Sequence, residues 1–98
     1  MPTEGDLRAA IDSENAAIVE LKTKIGEDPL RLLLQSASDT LSFVSKAFLA
    51  PTAMQRMRTP AELDSWFAQA SRHVERAAQL RREVEQVATR NASNMNVR

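Results

Sequence analysis

Apolar side chains recur in alternating steps of three and four residues along three long segments of this chain, which places them on one face of an α-helix. In the first segment this set includes Leu7, Ile11, Ile18 and Leu21, and Glu14 is its one charged member. Only two glycines and four prolines interrupt the 98 residues, and tyrosine is absent. Because turn and strand formers are this scarce, the sequence predicts an all-α fold.

Capping signals divide the chain into three predicted helices. Thr3 to Asp6 has the form of a capping box, Gly26 can end a helix, and Pro51 stops the next one. Thr59 followed by Pro60 and Glu62 combines an N-cap, a proline at the first position and a carboxylate three residues on. The prediction is an N-terminal cap at 1–4, a single helical domain at 5–90 with helices at about 5–25, 29–50 and 60–90, and a frayed polar tail at 91–98.

Composition argues against an enzyme. The chain is long enough for one small hydrophobic core, it contains no cysteine, and His73 is its single histidine. No phosphate-binding glycine loop and no catalytic serine or zinc motif is present, so we expect no catalytic residue, no metal and no cofactor. His73 lies on an apolar stripe, where packing in a helix interface is the simpler interpretation. The acidic start and the lack of a long apolar run predict an intracellular, cytoplasmic protein that does not enter membranes.

The third helix is predicted to be longer than its two neighbours, so its last turns should extend beyond them. An apolar seam without an intramolecular partner needs to be buried elsewhere, so we expect a coiled-coil-like homodimer or a partner helix that covers it. In the homodimer, Leu80→Asp or Val84→Asp should abolish self-association. A connection that is shorter in space would instead let the helices stagger and cover the seam within one chain. Parallel packing of the first and third helices in one chain would separate Glu14 and Arg81 by several turns. They could therefore pair across an antiparallel dimer, or each could reach water. The residues of this predicted interface are Leu80, Arg81, Val84, Val87, Ala88 and Glu14.

These features favour a non-enzymatic, all-helical interaction module that is homo-oligomeric and acts by binding a protein partner. The segment 54–58 carries two methionines and two arginines. It could dock such a partner, or its methionines could close the end of the bundle.

A polar face of the second helix supports a different function, sequence-independent binding of double-stranded RNA. This face is rich in hydroxyl, amide and cationic donors and poor in carboxylates, a composition that suits phosphate and ribose 2′-hydroxyl groups. Three residues of the first helix could extend it at a spacing of seven. The residues of this candidate RNA face are Arg31, Gln35, Ser38, Ser42, Ser45 and Lys46, with Arg8, Asn15 and Lys22.

The layout of the chain resembles a known family. It is similar to that of the double-stranded-RNA-binding silencing suppressors of nodaviruses. The similarity lies in an N-terminal helix, a second helix that Asp28-Pro29 opens and that ends in Phe48-Leu49-Ala50-Pro51, and a short arginine-bearing segment before a further helix. The resemblance covers about residues 5–60. It implies an all-helical homodimer that lies along an RNA duplex, with Arg31, Gln35, Ser42 and Lys46 facing the RNA. A looser similarity to the granule-coating phasins involves Thr59 to Glu62 and Val87 to Thr89.

Overall fold

All regular secondary structure in the described part of the chain is helical. The computed structural model describes the backbone of residues 3–96 and the side chains of residues 3–91, so Met1 and Pro2 of the predicted cap, and Val97 and Arg98 of the predicted tail, lie outside it. The all-α prediction is confirmed for these residues. The elements are α1 (Glu4–Ile25), α2 (Arg31–Phe43), a π-helical turn (Val44–Phe48), α3 (Pro51–Met54) and α4 (Pro60–Asn96).

Helix α1 begins and ends where its caps predict. The Asp6 backbone N–H donates to the Thr3 hydroxyl at 3.1 Å, and the Asp6 carboxylate accepts from the Thr3 N–H at 3.1 Å, which completes the capping box. At the other end Gly26 has φ +60°, and its N–H donates to the Lys22 carbonyl. The positive φ turns the chain sharply toward α2.

Helix α2 differs from its prediction at both ends. Asp28 accepts from the Leu30 N–H at 2.9 Å, but α-helical geometry starts only at Arg31. The C-terminal half turns into the π-helical segment Val44–Phe48, in which the Leu49 N–H donates to the Val44 carbonyl five residues earlier. The helical path that continues from α2 through the π-helical turn ends at Phe48, close to the predicted end before Pro51. Pro51 opens the single turn α3, because proline is well suited to the first position of a helix. This fourth helix was not predicted.

Helix α4 starts at Pro60, where the Glu62 N–H donates to the Thr59 hydroxyl at 3.1 Å. It runs to Asn96, so the prediction of a frayed tail from residue 91 is wrong for residues 91–96. Their polar side chains are compatible with a helix, and neither proline nor glycine occurs there.

The three long helices form an antiparallel bundle with its core at their shared interface. Lys22 meets Gln35 and the earlier Arg8 meets the later Leu49, so α1 and α2 are antiparallel. Phe43 meets His73 and the later Phe48 meets the earlier Trp66, so α2 and α4 are also antiparallel, and α1 and α4 run in the same direction. The core side chains have in common that they are almost wholly buried. They include Leu7, Ile11, Ile18, Leu21, Leu34, Ala37, Leu41, Val44, Phe48, Leu49, Phe67, Ala70, Val74, Ala77 and Val84.

Helix α4 is displaced along the bundle relative to α1. Ile25 ends α1 and lines the same groove as Ala88, which is much further from the start of its own helix. Helix α4 therefore begins about seven residues, or roughly two turns, before the level at which α1 begins. The first turns of α4 pack against the π-helical turn. Its later turns reach the C-terminal end of α1 and the N-terminal end of α2. The expectation that α4 overhangs from Leu80 onward is wrong for this reason.

Candidate functional site

Exposed large apolar side chains concentrate along one groove of the bundle. Of the five in the described residues, four lie on α2 and α4, and only Val19 lies on α1. Phe43 is 51% exposed and Val87 is 38% exposed. The four on α2 and α4 are Leu32, Leu33, Phe43 and Val87.

An aromatic cluster holds Phe43 at one end of this groove. The ring of Phe43 lies edge-on to His73, with 5.5 Å between centroids, and to Phe48 at 5.8 Å. Phe48 in turn packs on Trp66 at 4.4 Å, and the Trp66 indole N–H donates to the Phe48 carbonyl at 2.8 Å. His73 is thus a packed ring between aromatic neighbours. The cluster presents half of the Phe43 ring to the outside in a fixed orientation.

The same groove contains the apolar stripe of α4 that recurs at a spacing of seven. The contact between His73 and Phe43 shows that this stripe faces α2, and Leu80 and Val87 follow it along α4. Leu33 lies two residues before Gln35, which contacts α1, so Leu33 is on the opposite side of α2 and borders α4. We call this surface the α2–α4 apolar strip. It consists of Leu33, Phe43, His73, Leu80 and Val87.

Two residues of the predicted dimer interface pair within the chain instead. The Arg81 guanidinium donates to Glu14 through Nε at 2.6 Å and Nη2 at 3.3 Å, and to Glu85 through Nη1 at 2.8 Å. The side chains of Arg81 and Glu14 are only 15% and 17% exposed. The prediction that parallel packing in one chain would separate them by several turns is wrong. The displacement of α4 along the bundle brings Arg81 close to the height of Glu14. The Arg81 side chain covers the remaining distance, because side chains on a helix lean toward the N-terminus of that helix.

This ion pair also fixes the charge state of its arginine. The pKa of Arg81 is raised above its ordinary value, chiefly by the hydrogen bond to Glu14 and against the opposing effect of burial. A raised pKa in the folded state contributes stability at every pH below the unfolded value and loses it only in strong alkali. Arg81 is therefore a permanent cation that holds α1 to α4.

The remaining predicted interface residues divide into two groups. Val84 is 1% exposed and belongs to the core, and Ala88 borders the groove between α1 and α4, so neither offers a free apolar surface. The prediction is wrong for Val84, since the ends of α1 and α2 cover it. Leu80 and Val87 lie on the α2–α4 apolar strip, where Leu80 is half-buried and Val87 is exposed. The accessible surface is thus rotated around α4 from the predicted seam.

The candidate RNA face lies along the opposite groove, between α1 and α2. Lys22 Nζ donates to Gln35 Oε1 at 2.9 Å, which joins the two helices at one end of that face. Arg8 lies at the other end and donates to the Leu49 carbonyl at 3.1 Å. Asn15 and Ser38 are half-buried between these ends. Ser42 is exposed on α2, and Ser45 and Lys46 are exposed on the π-helical turn.

Carboxylates accompany two of the four cations of this face. Arg8 pairs with Glu4 at 2.8 Å, and Arg31 lies 3.8 Å from Glu27 and also donates to the Gly26 carbonyl. The Gln35 amide donates to Asp39 at 2.9 Å. The positive potential of the face is therefore weaker than its count of basic residues indicates.

Part of the exposed apolar surface of α2 has a signal in the sequence. Leu32 and Phe43 widen the apolar surface of α2 beyond half of its circumference, and that excess was a signal that α2 presents apolar side chains outside the core. Leu33 carried no separate signal, because it falls within a run of three leucines.

No helix within residues 3–96 combines the length and the hydrophobicity that crossing a membrane requires. Comparison of the chain with protein-family models, with curated proteins and with solved structures finds no match.

Proposed function

We propose that the chain is a non-enzymatic, all-helical interaction module that self-associates and acts by binding protein through the α2–α4 apolar strip. The observation that supports this proposal is that three exposed large apolar side chains, Leu33, Phe43 and Val87, belong to this one strip. Scattered single apolar residues are normal on a protein surface, whereas a contiguous set marks an interaction site. A groove between two helices can receive a further helix through anchors at helical spacing.

The fixed orientation of Phe43 adds to this argument. Its ring is held by Phe48 and His73, so little side-chain entropy is lost when a partner covers it. Rigid aromatic anchors of this kind contribute strongly to protein interfaces.

The test is the mass of the protein in solution, measured by sedimentation equilibrium from low micromolar to sub-millimolar concentration. We expect the wild-type chain of 10.9 kDa to form a dimer within this range. Val87→Asp should shift the protein to monomer, because it places a charge in an apolar contact. Val19→Asp is the matched control, since Val19 is 63% exposed on α1 and lies outside the strip. A monomeric wild type, or equal effects of the two variants, would overturn the proposal.

A second candidate function is sequence-independent binding of double-stranded RNA by the groove between α1 and α2. The contact between Lys22 and Gln35 supports it, because this contact joins the polar residues of both helices into one surface. The pairing of Arg8 and Arg31 with carboxylates makes it the weaker candidate.

Fluorescence anisotropy of a labelled RNA duplex of about twenty base pairs, longer than the span of common duplex-binding domains, tests this candidate at low and physiological salt. Binding should fall steeply with salt and should be reduced strongly in Arg31→Ala/Lys46→Ala. The control Arg72→Ala/Arg82→Ala removes the same charge from exposed positions of α4. Absence of binding at low salt, or full binding by the first variant, would rule out this face.

A further inference from the structure

The outward side of α4 carries a second heptad-like seam that alternates steps of four and three. Leu80 is at its centre, and its members share one side of the helix, next to α2. Apart from the half-buried His73 and Leu80, these side chains are exposed. The seam consists of Gln69, His73, Arg76, Leu80, Glu83, Val87 and Arg90.

The charges on this seam are opposite on the two sides of Leu80. Arg76 lies four residues before Leu80 and Glu83 lies three residues after it. If a second α4 packs antiparallel with Leu80 on the two-fold axis, Arg76 lies within one residue, or about 1.5 Å along the helix, of the level of Glu83 of the partner copy, and the same pair forms again by symmetry. In parallel packing each charge would face its own copy, which is repulsive. Neither residue belongs to an ion pair within the described part of the chain, so both are available.

The apolar residues match in the same register. His73 and Val87 are each seven residues from Leu80, so each lies opposite the other in the partner copy. Phe43 contacts His73, and it therefore reaches the exposed Val87 of the partner copy. In this register the Phe43 and His73 end of the strip in one copy covers the Val87 end of the strip in the other copy.

The exposed area of the chain is of the size that such an interface needs. Its accessible surface is 6710 Å². A monomer of this mass typically exposes about 5,600 Å², so the excess is about 1,100 Å². A standard two-chain interface buries about 800 Å² on each partner. The excess is therefore larger than the area that a second copy would cover in an interface of standard size.

We infer that the occupant of the α2–α4 apolar strip is a second copy of this chain, antiparallel to the first, with Leu80 at the two-fold axis and Arg76 paired with Glu83 of the partner copy. This inference rests on the proposed self-association and adds the orientation, the register and the residues that determine them.

Disulfide mapping tests the register directly, because the natural sequence contains no cysteine. Leu80→Cys should form a covalent dimer under mild oxidation, since two copies of residue 80 meet at the axis. Val87→Cys should not, because its two copies are about fourteen residues, or roughly 21 Å, apart along the helices, and a disulfide needs Cα atoms within about 7 Å.

The outcomes separate this inference from the proposed function. A dimeric mass together with efficient cross-linking of Val87→Cys would show parallel packing and overturn the inference alone. A dimeric mass without cross-linking of Leu80→Cys would place the axis elsewhere, with the same consequence. A monomeric wild type would overturn both.

Charge exchange tests the ion pair. Arg76→Glu and Glu83→Arg should each weaken self-association roughly tenfold, because two attractive exposed pairs become repulsive. An equimolar mixture of the two variants should associate as tightly as the wild type, since each opposite pair is restored. Arg82→Glu, on an exposed position of α4 outside the seam, is the control. Unchanged association of both single variants would contradict the pairing of Arg76 with Glu83.

Discussion

Arg81 and Glu14 show how one ion pair can determine how two helices are aligned. Each is mostly buried among apolar neighbours, and each satisfies the other through two hydrogen bonds. A half-buried charge without a partner is costly, so any shift of α4 by a turn would leave both groups unpaired. The pair therefore selects one register of α1 against α4 out of several that the apolar residues alone would allow.

Replacing Arg81 should measure how much its ion pair with Glu14 contributes to the stability of the fold. Arg81→Met keeps most of the side-chain volume but leaves Glu14 partly buried and unpaired, so we expect the free energy of unfolding to fall by about 2 kcal/mol. Arg82→Met makes the same chemical change at an exposed neighbouring position and should change it by less than about 0.5 kcal/mol. Urea unfolding followed by the fluorescence of Trp66 measures both.

The double variant Glu14→Leu/Arg81→Met completes the comparison. It replaces the ion pair with an apolar contact and should recover much of the loss of the single variant. Equal effects of Arg81→Met and Arg82→Met would show that the pair does not hold the register.

At the scale of the helices, the ends that carry capping chemistry were predictable. Thr3, Gly26 and Thr59 act as predicted because capping depends on a side chain or a φ angle at one position. The π-helical turn Val44–Phe48 was not predictable, since a bond to the fifth residue back has no residue signature of its own. The helical state of residues 91–96 was missed because a polar stretch is compatible with both a helix and a tail.

The C-cap of α1 provides the sharpest test of an element boundary. Gly26 has φ +60° and nothing within 4 Å of an added Cβ, so Gly26→Ala meets backbone strain without a clash. We expect a loss of about 1 kcal/mol in the free energy of unfolding. Gly5→Ala is the matched control, because Gly5 is helical and its added Cβ would lie 3.9 Å from the Thr3 hydroxyl. That change should raise the stability slightly, since alanine favours helix over glycine. A loss of equal size in both variants would contradict this account.

At the scale of the whole molecule, the chain is a rod. Its extents are 61 × 21 × 16 Å, and its radius of gyration is 16.2 Å. A globular domain of this length would have a radius of gyration of about 13 Å. The shape follows from α4, which spans the long axis by itself. The candidate surface could be predicted only in part. The displacement of α4 along the bundle determines which of its two apolar stripes α1 and α2 cover. The connection between Pro51 and Thr59 is several residues long, and its sequence does not determine that displacement.

The shape leads to a prediction for small-angle X-ray scattering. Leu80 lies close to the middle of α4, so an antiparallel dimer with its axis there should be about as long as one chain and only thicker. We expect the longest dimension to stay close to 61 Å while the mass doubles. A dimer whose longest dimension approaches twice this value would indicate contact end to end.

The π-helical turn makes one point of the chain tolerant to a change of length. Val44–Phe48 contains one residue more than an α-helical path between the same two ends would need, because its bond skips five residues instead of four. Loss of the exposed Ser45 would turn this bond into an ordinary α-helical one and leave Leu49 in its place. Loss of the exposed Ser36 from regular helix would instead rotate all that follows by about 100°. Thermal unfolding of the two deletion variants should therefore show a folded protein only for the first, and relatives that differ by a single residue in length would be expected to differ here.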